Sequence, residues 1–252
     1  MDIDTIQRVE EKYLISSKEQ ESLLKSIEKY LKKDKYFSEK VFSLYFDTKN
    51  NDFVIKSIDR PAFREKIRVR AYNIPKKNTK VFLEIKSKLA KGRIKIGNKR
   101  RLSLKLGDFY DFQAKKENLV SILKASKVEE KNQYQIAEEL DYLLNFYSLE
   151  PKIIISSDRT AYSSKENDNF RLTFDKNLSF RTDDLRLEKQ GNYEQYFKNT
   201  KDKKHCIIME VKTMNAMPIW FVKELSKRKI YPSRFSKYGK IYQQITERQK
   251  NV

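Results

Sequence analysis

The sequence predicts an α+β fold: an antiparallel, closed β-barrel flanked by helices. Segments that alternate apolar and charged residues recur along the chain, as half-buried strands do. They succeed one another at hairpin distances, giving about eight strands in an order that suits closure. Their charged positions are also enriched in cations across most strands, whereas an ordinary half-buried sheet simply turns a charged face to water.

Val9–Ile15 is the first strand, with Arg8, Glu10 and Lys12 on one face and Val9, Tyr13 and Ile15 on the other. Ser17 is placed to cap a helix, with Gln20 three residues on, and Leu23, Leu24, Ile27, Tyr30 and Leu31 keep helical spacing. Lys40–Thr48 follows as a strand, apolar at Phe42, Leu44 and Phe46. In the third strand, Phe63–Tyr72, Arg64, Lys66, Arg68 and Arg70 share a face opposite Ile67, Val69 and Ala71. Lys80–Leu89 is the fourth and carries Glu84, Lys86 and Lys88. Arg93–Leu106 reads as a further strand or hairpin with the basic cluster Lys99-Arg100-Arg101. Gly107–Leu149 reads as mostly helical, striped by Ile136, Leu140, Leu143 and Leu144, with an exposed or loop-like part near Lys115–Lys131. Strands resume at Lys152–Tyr162, Asn169–Phe180 and His205–Thr213, the last bearing Glu210 and Lys212. Asp183–Lys204 is a polar loop with a short helix. Pro218 suits the first turn of a helix reaching Arg228, and Ser233–Arg248 reads as a closing helix. Without an internal repeat or a Pro- or Gly-rich linker, residues 1–252 are read as one domain.

Lysine and arginine number 55 against 35 acidic residues, a formal net charge of +20. Such a charge attracts nucleic acid, anionic lipid or phosphorylated ligands. With 15 Phe and 15 Tyr, the chain is not a disordered polyelectrolyte. Cys206 is the only cysteine, which excludes an intrachain disulfide or a cysteine-based zinc site and fits a reducing cytoplasm. His205 is the only histidine, and nothing near it supports a nucleophilic triad. Metal binding would therefore use oxygen ligands, which points to magnesium or manganese. The acidic start Met1-Asp-Ile-Asp-Thr lacks a signal-peptide core, and no run approaches the roughly 18 apolar residues of a membrane span. These features predict a soluble, cytoplasmic protein with charge enough for peripheral membrane docking. Gly92-Arg-Ile-Lys-Ile-Gly97 has the glycine spacing of a phosphate loop, but Asn98-Lys99 follows instead of Lys then Ser/Thr, so the match is read as chance.

Four cations in a row on one strand repel one another and call for an anion. A triphosphate or a longer phosphate chain would stabilise them. A lone Arg-x-Arg on a strand is usually a solvated face, but here Glu84, Lys86 and Lys88, and Glu210 with Lys212, lie in similar segments.

Several stretches together carry a family pattern. They are Arg8-Val-Glu-Glu-Lys-Tyr-Leu-Ile-Ser16, Ser43-Leu-Tyr-Phe-Asp-Thr48, Lys66-Ile-Arg-Val-Arg-Ala-Tyr72 and Val81-Phe-Leu-Glu-Ile-Lys-Ser-Lys88. Asp158-Arg-Thr-Ala-Tyr162, Phe170-Arg-Leu-Thr-Phe-Asp-Lys-Asn-Leu178, Ile208-Met-Glu-Val-Lys-Thr213 and Arg234-Phe-Ser-Lys-Tyr238 follow in order. The chain resembles the catalytic domain of vacuolar transporter chaperone (VTC) polyphosphate polymerases, within the triphosphate tunnel metalloenzyme (CYTH-like) superfamily. The resemblance implies a barrel tunnel in which the γ-phosphoryl group of ATP passes to a growing polyphosphate chain, with ADP released and a divalent metal, Mn2+ or Mg2+, assisting. It implies catalytic roles for Lys12, Arg68, Arg70, Lys86, Arg159 and Arg171, and a metal-binding role for Glu210. Arg64, Lys66, Lys88, Lys212, Arg234, Ser236 and Lys237 become substrate-binding candidates, together with Lys99 or Arg100, between which the sequence does not choose.

Arg8 stands where the tunnel phosphatases usually have the first glutamate of Glu-x-Glu-x-Lys, which favours the polymerase branch. The rivals are a tunnel-type triphosphatase acting on tripolyphosphate, a nucleoside triphosphate or an RNA 5′ end, and a non-enzymatic binder of polyphosphate, inositol phosphates or nucleic acid. No specific nucleic-acid partner is expected, and the resemblance leaves room for a membrane-protein partner that exports the product. Glu84 is read either as a metal ligand or as the partner that orients Lys86 or Arg68; Glu10 is equally open. Asp175 is read as a salt-bridge partner on the strand face of Arg171, and Trp220 as packing. Tyr45, Tyr72 and Tyr162 either stack on adenine or pack at barrel edges.

Overall fold

Nine strands and seven α-helices make up the described residues of the computed structural model, which are 8–91, 94–115, 117–126, 130–166, 169–200, 204–214 and 216–250. In chain order they are β1 (Arg8–Ile15), α1 (Ser17–Ile27), β2 (Leu31–Asp47), α2 (Asp52–Asp59), β3 (Phe63–Tyr72), β4 (Lys80–Lys91) and β5 (Ile94–Lys105). Then come α3 (Leu106–Lys115), α4 (Leu119–Ala125), α5 (Lys131–Phe146), β6 (Glu150–Ser164), β7 (Phe170–Arg181), the two-residue β8 (Glu194–Gln195), β9 (Ile207–Met214), α6 (Ile219–Lys227) and α7 (Lys237–Lys250). The sheet order is β1-β9-β7-β6-β2-β3-β4-β5, with β8 on β7. The architecture is the expected antiparallel α+β arrangement. Among the described residues the order ends at β1 and β5, so the sheet is not closed into a barrel by hydrogen bonds.

The chain packs as two compact units, each drawn from three stretches. The first comprises Met1–Lys40, Ser157–Ser179 and Gln195–Phe235. In it β9 pairs with β1 and with β7, both antiparallel. One sheet face buries Tyr13, Ile15, Leu172, Phe174, Met209 and Val211 against Leu23 and Ile27 of α1 and Phe221 and Leu225 of α6. Arg228, just past α6, reaches back to the Ser22 backbone carbonyl at 2.9 Å and so ties α6 to α1.

The second unit comprises Val41–Ser156, Phe180–Glu194 and Ser236–Val252. Here β2, β3, β4 and β5 form an antiparallel meander. The register sets Leu44, Val69, Leu83 and Leu102 side by side on one face. That face is covered by Phe109 of α3, Leu119 and Leu123 of α4, and Ala137 and Leu140 of α5. Because side chains alternate along a strand, the other face of the meander receives the charged positions.

The structure moves several expected boundaries. The first helix is capped by Ser16, one residue before Ser17; its hydroxyl accepts from Glu19 N while the Glu19 carboxylate accepts from Ser16 N, a reciprocal capping box. That helix ends at Ile27, and Leu31 opens β2. β2 begins nine residues before Lys40, in a lysine-rich stretch whose exposed positions hide the alternation. Helix α2 was not anticipated; it starts where Asp47 accepts hydrogen bonds from Phe53 N at 2.8 Å and Val54 N at 2.9 Å. Of the Gly92–Gly97 segment, residues 92 and 93 lie outside the described residues and the rest belongs to β5.

Buried Arg181, at the end of β7, closes the following loop by donating to the carbonyls of Lys189 at 3.1 Å and Arg186 at 2.5 Å. A Cβ on Gly191 would collide with Arg181 Nη1. Gly191→Ala is therefore expected to break the bond to Lys189 and lower stability by about 1–2 kcal/mol, read as a reduced urea midpoint with an unchanged m-value.

Candidate anion-binding faces

The register of the meander arranges the cations in rows. Arg64 lies opposite Lys88, and Lys66 lies opposite Lys86, which lies opposite Lys99. Arg68 lies opposite Glu84, which lies opposite Arg101. Arg70 lies opposite Phe82 on one side and Ser43 on the other. Like charges directly opposite one another destabilise a sheet. Glu84 is the single acidic residue in these rows, and it is 0% exposed.

Glu84 is fully engaged. Arg68 donates through Nε and Nη2 to Oε2, each at 2.8 Å. Arg101 donates through Nε at 3.0 Å and Nη2 at 2.6 Å to Oε1, and Lys99 Nζ stands 3.9 Å from the same oxygen. Burial alone would raise this carboxyl, but Arg68, Arg70 and Arg101 outweigh it and hold its pKa at about 2. Of the two readings open for Glu84, the geometry is that of a partner orienting Arg68, and Arg101 shares the same carboxylate. Arg68 also donates to the Tyr45 hydroxyl at 3.2 Å.

Arg100 is a correction. It belongs to the row of Ile85 on the helix-covered face, and it pairs with Glu139 of α5. Lys99 is on the charged face.

Ser236 and Lys237 stand at the start of α7. The Ser236 hydroxyl accepts from Gly239 N at 3.2 Å, as an N-cap does, and from Lys66 Nζ at 2.8 Å. Two residues into the helix, the Tyr238 hydroxyl donates to Asp47 Oδ2 at 2.9 Å, and its ring stacks on Tyr45 at 4.8 Å between centroids. Asp47, 0% exposed, thus joins β2, α2 and α7. No family motif singled out a role for it.

In the first unit, Glu10, Lys212 and Arg171 form one cross-strand row, and Lys12, Glu210 and Thr173 the next. Glu210 Oε1 is 2.6 Å from Lys212 Nζ, and Oε2 is 3.5 Å from Lys12 Nζ. Lys12 also lies 3.8 Å from Glu10 and donates to the Phe235 carbonyl at 3.5 Å. Burial opposes ionisation of Glu210, yet Lys212, Lys12 and Arg159 hold it well below the usual carboxylate range. Asp175 is a salt-bridge partner, as the sequence predicts, and its partner is Arg159, whose Nε and Nη2 reach its two oxygens at 2.7 Å each. Arg171, partly exposed, pairs with Asp34 of β2 at 3.0 Å. Arg234 is exposed between α6 and α7. His205 stands 3.6 Å from Glu19 near the start of α1, and Trp220 stacks on Tyr30 at 4.5 Å.

Among the described residues no group of three or more His, Cys, Asp or Glu side chains converges as a complete metal cage. Glu210, with Glu10 reached through the shared Lys12, offers oxygen donors only. That set fits a hard divalent ion of the Mg2+ or Mn2+ kind, which commonly takes one or two carboxylates and fills its remaining positions with phosphate oxygens and water.

The charged sheet face of each unit thus sets rows of cations beside buried carboxylates, Glu210 and Asp175 in the first unit and Glu84 in the second. The chain belongs to the VTC domain family, whose model matches residues 7–246. No curated protein matches it. Among solved structures it is similar to HpAC1 from Hippeastrum, proposed as an adenylyl cyclase and described as having a dominant triphosphatase activity. That likeness is 14% identity over 92% of this chain and 93% of that one, with a TM-score of 0.49. A protein from Vibrio parahaemolyticus, also proposed as an adenylate cyclase, is 8% identical over 93% and 97%, with a TM-score of 0.45. Likeness at this level assigns neither activity nor substrate. Among the described residues no helix is long and apolar enough to cross a membrane.

Two outcomes follow. Glu84 has a folded pKa of about 2, below the ordinary value near 4.3. Its stabilisation is therefore present above the ordinary value and lost as pH falls from there through about 2. Glu84→Gln should lower stability at neutral pH by about 3–5 kcal/mol by leaving Arg68 and Arg101 uncompensated, and should flatten acid unfolding between about pH 4 and pH 2; urea titrations at several pH values read both. Tyr238→Phe should cost about 1–3 kcal/mol through the lost bond to buried Asp47, measured by calorimetry.

Proposed function

We propose that this chain is an ATP-dependent polyphosphate polymerase. The observation that carries the reading is the row Lys66–Lys86–Lys99, three cations in register beside Arg68 and Arg101, within a VTC-family chain. A repeating anion matches that spacing of charge better than a single phosphate does.

In the proposed reaction a terminal oxygen of the polyphosphate attacks the γ-phosphorus of ATP. The bond from γ-phosphorus to the β–γ bridging oxygen breaks, and ADP leaves with that electron pair. The attacking oxygen is already anionic, so no strong general base is required, which agrees with a chain holding one histidine. The difficulty is repulsion between donor and acceptor, and charge spreads over the equatorial oxygens in the transition state. Arg68 and Arg70 would grip the nucleotide phosphates, Arg68 with its fork pre-set by Glu84. Lys12, Lys66, Lys86, Lys99 and Lys212 would act as point charges, and Arg64, Lys88, Arg171 and Arg234 would extend the attraction for the chain. Arg159 is held rigid by Asp175. Ser236 and Lys237 would meet phosphate at the start of α7. Glu210, with Glu10 near it, would hold a divalent cation whose chemistry is to neutralise charge on the phosphate oxygens. A membrane-protein partner that exports the product is part of the same reading.

The test incubates the purified chain with ATP and Mn2+ or Mg2+, with and without a short polyphosphate primer, and resolves the products. A ladder of long polyphosphate with matching ADP is expected. Free phosphate without a ladder would replace the polymerase with a triphosphatase, and salt-sensitive binding without turnover would leave a binding module. Arg68→Ala should lower kcat/KM by about 10²–10³-fold. Glu210→Gln should abolish turnover while polyphosphate binding stays equal or tightens, and full turnover in that variant would remove the metal assignment.

A further inference from the structure

We propose that Tyr72 and Phe82 form a nucleobase platform at one end of the cationic face of the meander, where the base of a nucleoside triphosphate stacks while its phosphates run along Arg70, Arg68 and Lys66. The inference rests on reading the chain as a nucleotide-using enzyme and adds the direction in which the substrate lies.

The alternation that puts Arg64, Lys66, Arg68 and Arg70 on one face of β3 puts Tyr72 there as well. Phe82 is directly opposite Arg70 on β4 and shares that face. The two rings meet edge to face, 6.0 Å between centroids at 73°. Both are half-buried, and neither packs into the apolar core on the opposite side of the sheet. The Arg101 guanidinium lies 4.3 Å from the centre of the Phe82 ring, with its nitrogens held by Glu84. The cationic face therefore passes into aromatic surface without a break. Tyr72 lies about 7 Å along the strand from Arg70, which leaves room for a ribose between a stacked base and the first phosphate. Lys80 and Lys105, opposite one another just beyond, are exposed and keep the potential positive around the site.

The structure also selects among the sequence's three tyrosine candidates. Tyr45 is buried between Arg68 and Tyr238. Tyr162 packs against Phe37 and Phe174 beside the core of the first unit. Tyr72 alone of the three combines partial exposure with a place on the cationic face. Stacking needs only a π-face, so this platform binds the base without reading its edge.

The experiment measures binding of two probes to the full chain by calorimetry with Mg2+: the β,γ-imido analogue of ATP and inorganic tripolyphosphate. Tyr72→Leu and Phe82→Leu are each expected to weaken the nucleotide about tenfold and leave tripolyphosphate within about twofold. Tyr72→Trp should restore nucleotide affinity, which a purely structural role of the ring would not require. Equal losses for both probes, no loss for either, or a wild-type chain that does not bind the nucleotide would each overturn the platform. Product analysis on the same preparations separates the two claims. A wild type that makes no polymer but shows the selective loss keeps the platform and removes the polymerase. A wild type that makes polymer and loses both probes equally in Tyr72→Leu keeps the polymerase and removes the platform.

Discussion

The Glu84 carboxylate is the interaction on which the second unit's charged face depends. A carboxylate taken wholly out of water is costly unless its oxygens are satisfied by charged donors. Here Arg68 and Arg101 supply those donors from the strands on either side. The benefit runs both ways, because the guanidiniums are fixed in place by the same bonds. A fixed guanidinium loses little entropy when phosphate arrives. One buried acid thus turns two mobile cations into a rigid, forked surface. In the neighbouring row Lys66, Lys86 and Lys99 lie opposite one another, a concentration of positive charge on that face.

The first unit uses the same device with a different outcome. Glu210 is also buried and also flanked by cations, Lys12 and Lys212, but these are lysines at 3.5 and 2.6 Å, not arginine forks. A lysine is a point charge on a flexible stem and can withdraw from a carboxylate at less geometric cost than a bidentate arginine. Both Glu84 oxygens are held by arginine forks, whereas those of Glu210 face lysine ammoniums. Two acids that look alike in the sequence, each in a Glu-x-Lys segment, are separated by the residues across from them.

That difference marks what was legible beforehand. Strand existence was legible wherever apolar and charged residues alternate cleanly: β3 matches residue for residue, and β4, β7 and β9 come within two residues at each end. The first half of β2 was not, because its solvent-exposed positions erase the contrast on which alternation depends. Face is legible from parity, and on β5 it separates the three basic residues. Leu102 and Leu104 are core residues, so Arg100 must share their side of β5, and Lys99 and Arg101 the other. Cross-strand partners were not legible, since register between strands distant in sequence depends on turns and packing. Asp175 reads as a salt-bridge partner from its own strand, but that its partner is Arg159 on β6 emerges only from the structure. Asp47 stayed hidden because its partners are backbone amides and a tyrosine far along the chain.

The field produced by this arrangement can be read from two stacked phenols. Burial pushes the Tyr238 hydroxyl up, and Asp47 pushes it further the same way. Burial would push Tyr45 up too, but Arg68, Arg70 and Lys237 overcome it and bring that phenol below its ordinary range. The rings are 4.8 Å apart, so the potential changes character across a single aromatic stack. Low surrounding polarisability lets charges act at this strength inside a protein. On the Tyr45 side the chain presents an environment that favours a negative oxygen even on a phenol; on the Tyr238 side a buried acid holds the helix in place. The same two guanidiniums that draw a buried phenol downward would favour any anionic oxygen placed beside them.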